Sequence, residues 1–163
     1  MDFAKVLRIA ASFFEEQRVP YAVAGAFALH AYGLTRATLD LDFVVDAEVQ
    51  PKLVNFLERL GYETLHLSSG YSNHLHADPA MGRLDFVYIA GDTSRLLFES
   101  AQRKLLLGDL SIPVPKPEHL FLCCGKPVAA RLLHLANRFL IHLQPDAGTV
   151  GHGHPSLLYY LPF

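Results

Sequence analysis

A chain of 163 residues in which 51% are hydrophobic and 18% are charged has the size and composition of one folded domain, which excludes a disordered protein. The formal net charge of −2 provides no broad basic surface, which disfavours tight sequence-independent binding to a phosphate backbone and leaves only a small local basic patch open. No apolar run reaches the roughly 18 residues that a membrane-spanning helix requires, and we expect no membrane partner.

Two features of the sequence predict a cytoplasmic location. Cys123 and Cys124 are adjacent and cannot join distant parts of the fold, which favours a reducing compartment. Residues 1–18 carry acidic side chains and have the spacing of an amphipathic helix, so they do not resemble a signal peptide.

The hydrophobic periodicity predicts alternating helices and strands over most of the chain. The predicted elements, in chain order, are a helix over 1–18, a strand over 19–25, a short helix over 26–33, a strand over 38–46, a helix over 49–61, strands over 62–67, 72–78 and 82–90, a helix over 93–105 and an extended segment over 110–120. Thr93 is the predicted N-cap of the fourth helix, and Pro117 with Glu118 opens a last helix. This order predicts an α+β fold, with a central mixed sheet flanked by helices.

The composition changes near residue 119. Of the 16 acidic residues only Asp146 lies between His119 and Phe163, whereas that segment holds five of the nine histidines. The end of the chain mixes Gly and Pro with apolar residues and shows neither a helix period nor a strand period. We therefore predict one folded domain over residues 1–118 and a divergent, helical or irregular tail over residues 119–163.

Asp40 and Asp42 stand two residues apart in an apolar strand, so both side chains project from one face of that strand. Leu39, Leu41 and Phe43 are expected on the opposite face, in the core. Two carboxylates this close repel each other and raise each other's pKa unless a cation lies between them. Carboxylate oxygens suit Mg²⁺ or Mn²⁺. The alternative is a pair of aspartates that faces solvent at a sheet edge.

Three neighbouring features favour the cation site. The segment LDFVYI repeats the pattern of LDFVVD, so Asp85 adds a third carboxylate if the two strands are adjacent. Gly25 ends a strand and leads into a helix, whose free N–H groups favour an anion such as phosphate. Arg36 and Thr38 precede the first aspartate and add a positive charge and a hydroxyl. A cation site beside a phosphate site indicates phosphoryl or nucleotidyl chemistry.

Together these residues form a pattern that resembles the DNA polymerase β-type nucleotidyltransferase superfamily. The pattern begins with two small residues after a strand, Gly25 and Ala26. After thirteen intervening residues comes a D-x-D motif, formed by Asp40 and Asp42, and a distant aspartate follows at Asp85. Within the superfamily, the stretch over 23–45 is most similar to the small bacterial nucleotidyltransferases of the AbiEii toxin type. The resemblance covers residues 5–118.

The resemblance implies a two-metal site that holds a nucleoside triphosphate while NMP moves to an acceptor hydroxyl and pyrophosphate leaves. It implies that Asp40 and Asp42 are ligands of Mg²⁺ or Mn²⁺, and that Asp85 is the third ligand and helps to take the acceptor proton. The nucleotide-binding residues that follow from it are Gly25, Ala26, Arg36 and Thr38.

On this resemblance we predict that the protein is a metal-dependent nucleotidyltransferase and that its acceptor is an unidentified hydroxyl group. The acceptor is a tRNA end, a protein or a small molecule. The resemblance also implies a role as the toxin of a toxin–antitoxin pair, with an antitoxin protein as partner.

Two departures from the family pattern bear on activity. Family members usually have Gly or Ser where this chain has Ala26, so a serine hydroxyl contact is missing. They also commonly carry a lysine where this chain has Cys124, and the nearest lysine here is Lys126, close to Pro127. A second hypothesis therefore stays open: a catalytically inactive nucleotide-binding or protein-interaction module that retains the fold.

Three histidines receive other interpretations. His74 and His76 alternate on a predicted strand like a transition-metal pair, but no third ligand lies nearby in sequence, and they are interpreted as surface residues. His30 is interpreted as a helix-packing residue rather than as a catalytic base.

Overall fold

The computed structural model describes residues 1–120, and its elements alternate much as the sequence predicts. They are α1 Phe3–Gln17, β1 Tyr21–Val23, α2 Gly25–Ala31, β2 Asp40–Asp46, α3 Gln50–Arg59, β3 Tyr62–Leu67, β4 Tyr71–His76, β5 Arg83–Ile89, α4 Gly91–Ser100, β6 Gln102–Leu106 and β7 Leu110–Val114. Short 3-10 turns lie at Ala47–Val49 and Pro117–His119. Residues 121–163, which are nearly all of the predicted tail and include its cysteines and Lys126, lie outside the described residues. None of the helices found between residues 1 and 120 is long and apolar enough to cross a membrane.

A five-stranded mixed sheet forms the centre of the fold, in the order β1-β2-β5-β4-β3. Strands β2 and β5 pair in parallel, and the other neighbours pair antiparallel. A parallel pair requires a long crossover connection, and here α3, β3 and β4 provide it. The predicted α+β fold with a central mixed sheet is confirmed.

Aromatic side chains form the core between α1 and one face of the sheet. Phe43 of β2 and Phe86 of β5 stack with ring centroids 5.3 Å apart, and Phe14 of α1 lies against both rings. All three side chains are fully buried. Each such phenylalanine contributes on the order of 1.5–3 kcal/mol through removal of apolar surface from water.

Helix α4 packs on the opposite face of the sheet, toward one end of it. Leu97 of α4 is buried against Val44 and Ala22, and the Ser94 hydroxyl donates to Asp46 Oδ2 at 2.6 Å. Asp40 and Asp42, nearer the start of β2, stay partly exposed on this same face. The helix therefore fixes the end of β2 and leaves the aspartates accessible.

The hairpin and the third helix match their predictions. Strands β3 and β4 pair antiparallel, as their alternating pattern predicts. Helix α3 has Pro51 in its first turn, and it is followed by Gly61 with φ of +93°. Glycine suits this position because other residues rarely adopt a positive φ.

The predicted helix over 93–105 is wrong in both its bounds and its length. Helix α4 begins at Gly91 with Ala90 as its N-cap, so Thr93 lies inside the helix and does not cap it. The helix ends at Ser100, and residues Gln102–Leu106 form β6, which pairs with β7. The local preference for helix gives way because pairing with β7 places Leu106 in the core.

The predicted core position of Leu39 is also wrong, since this side chain is 89% exposed. Strand β2 begins only at Asp40, so the alternation that buries Leu41 and Phe43 does not extend back to position 39. The first strand is similarly shorter than predicted and covers only Tyr21–Val23.

Candidate metal centre

The register between β2 and β5 brings three carboxylates together. Asp42 is the direct partner of Asp85 in this parallel pair, and Asp40 lies two residues before Asp42 on the same face. Each of the three offers one carboxylate oxygen, and these oxygens lie within 4.8 Å of one another. In the part of the chain that the structure describes, no other cluster of His, Cys, Asp or Glu side chains meets this criterion. Three hard oxygen donors at this spacing fit Mg²⁺ or Mn²⁺.

Asp85 is held by donors from its own strand and from β4. Arg83 Nε donates to Asp85 Oδ1 at 2.8 Å, and Arg83 Nη2 donates to Asp85 Oδ2 at 3.1 Å. Asn73 Nδ2 donates to the same Oδ1 at 2.7 Å, and the Asn73 side chain also contacts the hydroxyl of Tyr71. Asp85 is therefore a buried, ion-paired carboxylate with a fixed orientation.

The sequence analysis missed Arg83 and Asn73. Arg83 had a detectable signal, because it stands two residues before Asp85 on the same strand and so shares its face. Asn73 had none, since its contact depends on how β4 aligns with β5.

Asp40 is held by the predicted nucleotide contact Thr38. The Thr38 hydroxyl bonds to Asp40 Oδ1, and Asp40 N–H lies 3.4 Å from the same hydroxyl oxygen. This local turn, in which a threonine side chain bonds to the backbone two residues on, fixes the carboxylate where the loop enters β2.

Asp42 is the most strongly perturbed carboxyl group of the cluster. Burial is the largest cause and, together with the neighbouring charges of Asp40 and Asp85, raises its pKa from 3.8 to about 7. The positive charges of Arg36 and Arg83 oppose this shift but do not cancel it. Near neutral pH the Asp42 carboxyl group is therefore still partly protonated, and a divalent cation would displace that proton.

Gly25, at the start of α2, lies beside Asp42. The Asp42 carboxylate occupies the space where a side chain at position 25 would stand, and Gly25 has φ of +57°. The Ala24 N–H donates to the Asp42 carbonyl at 2.8 Å, which joins this junction to β2. The structure thus brings Gly25 to the edge of the carboxylate cluster, and Ala26, the next residue of α2, is buried.

Arg36 lies on the exposed loop between α2 and β2. Its backbone N–H donates to His30 Nε2 at 3.0 Å. The His30 side chain is exposed and meets the ring of Phe27 edge-on. His30 therefore bonds to the loop, which the interpretation as a packing residue did not anticipate.

The interpretation of His74 as a surface residue is wrong. Its side chain is fully buried, with Nε2 2.8 Å from the Ser72 hydroxyl and Nδ1 3.2 Å from that of Thr64. Burial lowers the pKa of His74 below its usual 6.5. His76 Nε2 lies 3.1 Å from the carbonyl of Leu60. Both rings have structural partners.

The fold described above is that of nucleotidyltransferases, which confirms the fold predicted from the sequence pattern. A scan against protein-family models and a search of curated proteins find no match to the chain.

Three solved structures illustrate the likeness. LnuA, a lincosamide antibiotic adenylyltransferase solved with lincomycin bound, matches with a TM-score of 0.54 and 19% identity, over 80% of this chain and 93% of its own. The antibiotic-resistance factor ANT(2'')-Ia matches with a TM-score of 0.59 and 18% identity, over 86% of each chain. An antigenic nucleotidyltransferase-like protein from Paracoccidioides brasiliensis matches with a TM-score of 0.56 and 13% identity, over 89% of this chain and 78% of its own. At these identities the likeness is one of fold, and the AbiEii-type branch stays a prediction.

Proposed function

We propose that the protein is a metal-dependent nucleotidyltransferase that moves NMP from a nucleoside triphosphate to a hydroxyl acceptor. The observation that carries the proposal is the meeting of Asp40, Asp42 and Asp85 on adjacent parallel strands, with carboxylate oxygens within 4.8 Å of one another. The nucleotidyltransferase fold supports it independently.

Asp40 and Asp42 would hold Mg²⁺ or Mn²⁺, with Asp85 as the third ligand. The bound ions supply charge stabilisation for the attacking and leaving oxygens of an in-line displacement. The chain prepares this site in advance, because Thr38 fixes Asp40 and Arg83 fixes Asp85. Asp42 alone lacks a hydrogen bond from another described side chain, and its raised pKa leaves it ready to exchange a proton for a cation.

The triphosphate would lie on the α2 side of the cluster. Gly25 and Ala26 would allow close backbone approach there, and Arg36 would supply positive charge. Thr38, which bonds to Asp40, would line the same edge. The acceptor hydroxyl would approach from the side of Asp85, whose carboxylate would accept the hydroxyl proton as the new P–O bond forms. The bond between the α-phosphorus and the bridging oxygen breaks in the same displacement, and its electron pair leaves with pyrophosphate.

The names of two structures of similar fold bear on the choice of acceptor. Two of the structures of similar fold are named for antibiotics, one as a lincosamide adenylyltransferase and one in complex with adenylyl-2''-tobramycin. These names favour a small hydroxylated molecule as the first acceptor to test. A tRNA end or a protein hydroxyl follows from the AbiEii-type resemblance, as do a toxin role and an antitoxin partner in the cytoplasm.

Calorimetric titration of each nucleoside triphosphate into the full chain, with and without Mg²⁺, tests the proposal. We expect Mg²⁺-dependent binding that disappears in Asp40→Asn/Asp42→Asn. The matched control is Asp92→Asn, which removes an exposed carboxylate on α4 and leaves the cluster intact. Binding that survives in the double variant, or is absent from the wild type, contradicts an active enzyme. Mg²⁺-independent binding would favour the inactive nucleotide-binding module.

A further inference from the structure

The 32–39 loop connects α2 to β2 and carries two of the residues assigned to the nucleotide, Arg36 and Thr38. At its start, Gly33 N–H donates to the carbonyl of His30 at 2.9 Å. At its end, Thr38 bonds to Asp40. Both ends of the loop are thus tied to elements of the site.

The middle of the loop is tied by a side chain. Arg36 N–H donates to His30 Nε2 at 3.0 Å, and within residues 1–120 this is the one hydrogen bond of positions 35–37. All three of these positions are exposed, so no burial holds them in place. The conformation that carries Arg36 therefore depends on the imidazole.

The imidazole is itself oriented and must be in one protonation state. Its ring centroid lies 5.7 Å from that of the buried Phe27, at an interplanar angle of 64°. To accept a hydrogen bond, Nε2 needs a free lone pair, so the ring is neutral and its proton is on Nδ1. An imidazolium would present a donor to a donor.

The loop also has an electrostatic connection to the carboxylate cluster. The Arg36 guanidinium is near enough to favour the ionised form of Asp42. Moving the Arg36 backbone would therefore change the charge that the cluster experiences, as well as the reach of the guanidinium to a phosphate.

We propose that His30 is a positioning residue for the nucleotide: its imidazole holds the 32–39 loop so that Arg36 meets the triphosphate without further ordering of the loop. This inference rests on the proposed function and assigns His30 no contact with the reacting atoms. A loop that is ordered before binding loses less conformational entropy when the ligand arrives.

Two substitutions separate the acceptor atom from the ring. His30→Phe keeps a ring against Phe27 and removes the nitrogen acceptor. His30→Gln removes the ring and keeps an acceptor, since the amide oxygen reaches about as far as Nε2. Because His30 is exposed, both variants should fold, and thermal melting checks this.

The experiment measures the Kd of Mg²⁺-ATP, and of the other three Mg²⁺-nucleotides, by calorimetry on the full chain. We expect His30→Phe to weaken binding by about threefold to tenfold and His30→Gln by less than about twofold. In an Arg36→Ala background, His30→Phe should add no further weakening, because the loop then carries no guanidinium to position. A purely structural role would lower the melting temperature without this dependence on Arg36.

A second measurement does not depend on nucleotide binding. A long-range ¹H–¹⁵N spectrum of the metal-free protein should show the His30 proton on Nδ1. A proton on Nε2 overturns the proposal, as does an unchanged Kd for His30→Phe while the wild type binds nucleotide. If the wild type binds no triphosphate, the proposed function fails and the nucleotide role of His30 fails with it, whatever the tautomer.

Discussion

Gly25 and Asp42 are packed so closely that a Cβ on Gly25 would lie 1.8 Å from Asp42 Oδ2. Gly25 also has φ of +57°, a conformation that costs other residues about 1–2 kcal/mol. The start of α2 can therefore approach the carboxylate cluster only because position 25 carries no side chain.

Gly25→Ala should displace the Asp42 carboxylate and weaken Mg²⁺-dependent nucleotide binding by more than about tenfold, since a misplaced ligand cannot share the cation. Calorimetry measures the loss. Gly91→Ala is the matched control, because Gly91 begins α4 with φ of +62° and has open space around it. The positive φ should cost both variants a similar amount of stability, but only Gly25→Ala also displaces Asp42 and should lose binding. Equal binding losses would contradict the specific role of Gly25.

The stability of the metal-free chain should fall as the pH rises, because of Asp42. Its pKa is raised from 3.8 to about 7, so the folded state holds a proton that the unfolded chain releases at lower pH. The destabilisation begins near pH 4 and is complete above about pH 7, where it is on the order of 2–4 kcal/mol.

Asp42→Asn should therefore raise the free energy of unfolding at pH 8 in the presence of a chelator, and should raise it little near pH 4. Urea denaturation at the two pH values measures this. In Asp92→Asn the change should stay below about 0.5 kcal/mol at either pH. A gain of the same size at both pH values would contradict the raised pKa.

Arg83 should contribute most to the stability of the folded chain when no divalent cation is bound. It pairs with a carboxylate whose side chain is 11% exposed, so Arg83→Gln leaves Asp85 buried beside Asp40 and Asp42 with less compensation. We expect a loss of about 2–4 kcal/mol of stability at pH 8 in chelator. Saturating Mn²⁺ should restore more stability to this variant than to the wild type.

The control for Arg83→Gln is Arg95→Gln, which breaks an exposed ion pair with Asp92. Exposed pairs of this kind contribute about 0–1 kcal/mol, and Mn²⁺ should not change that value. Thermal melting with and without Mn²⁺ distinguishes the two arginines. If Mn²⁺ raises the melting temperature of both variants equally, Arg83 does not compensate the negative charge of the carboxylate cluster.

The contribution of His74 to stability should have the opposite pH dependence from that of Asp42. Burial lowers its pKa below 6.5, although Glu58 and Asp85 oppose the shift, so the unfolded chain takes up a proton that the folded chain resists. Stability from this group is present above pH 6.5 and is lost as the pH falls below it. His74→Gln should flatten the stability curve between about pH 7 and pH 5. The exposed His66, as His66→Gln, is the control, and parallel curves for His74→Gln and wild type would contradict this origin.

The carboxylate cluster is the part of the site that sequence reasoning reaches most directly. Alternation along a strand is a local property, so Asp40 and Asp42 had to share a face. The repeated LDFV pattern suggested that Asp85 starts a similar strand, and the parallel register places it opposite Asp42. The role of the three as metal ligands stays a proposal.

Features that depend on pairing between distant segments could not be predicted in the same way. Residues 102–106 suit a helix by composition and form β6 only because residues 110–114 pair with them. The contact of His74 with the Thr64 hydroxyl of β3 likewise depends on how β3 pairs with β4, whereas its contact with Ser72, two residues earlier on β4, follows from alternation along one strand.

Electron paramagnetic resonance of Mn²⁺ tests the central claim most directly, since it detects the ion at the carboxylates without knowledge of the acceptor. Mn²⁺ is titrated into wild type and Asp40→Asn/Asp42→Asn, in the presence and absence of ATP. The proposed site predicts saturable Mn²⁺ binding to the wild type that ATP strengthens and that the double variant loses. Equal Mn²⁺ binding by both proteins, or none by the wild type with ATP present, would contradict a metal centre at Asp40, Asp42 and Asp85.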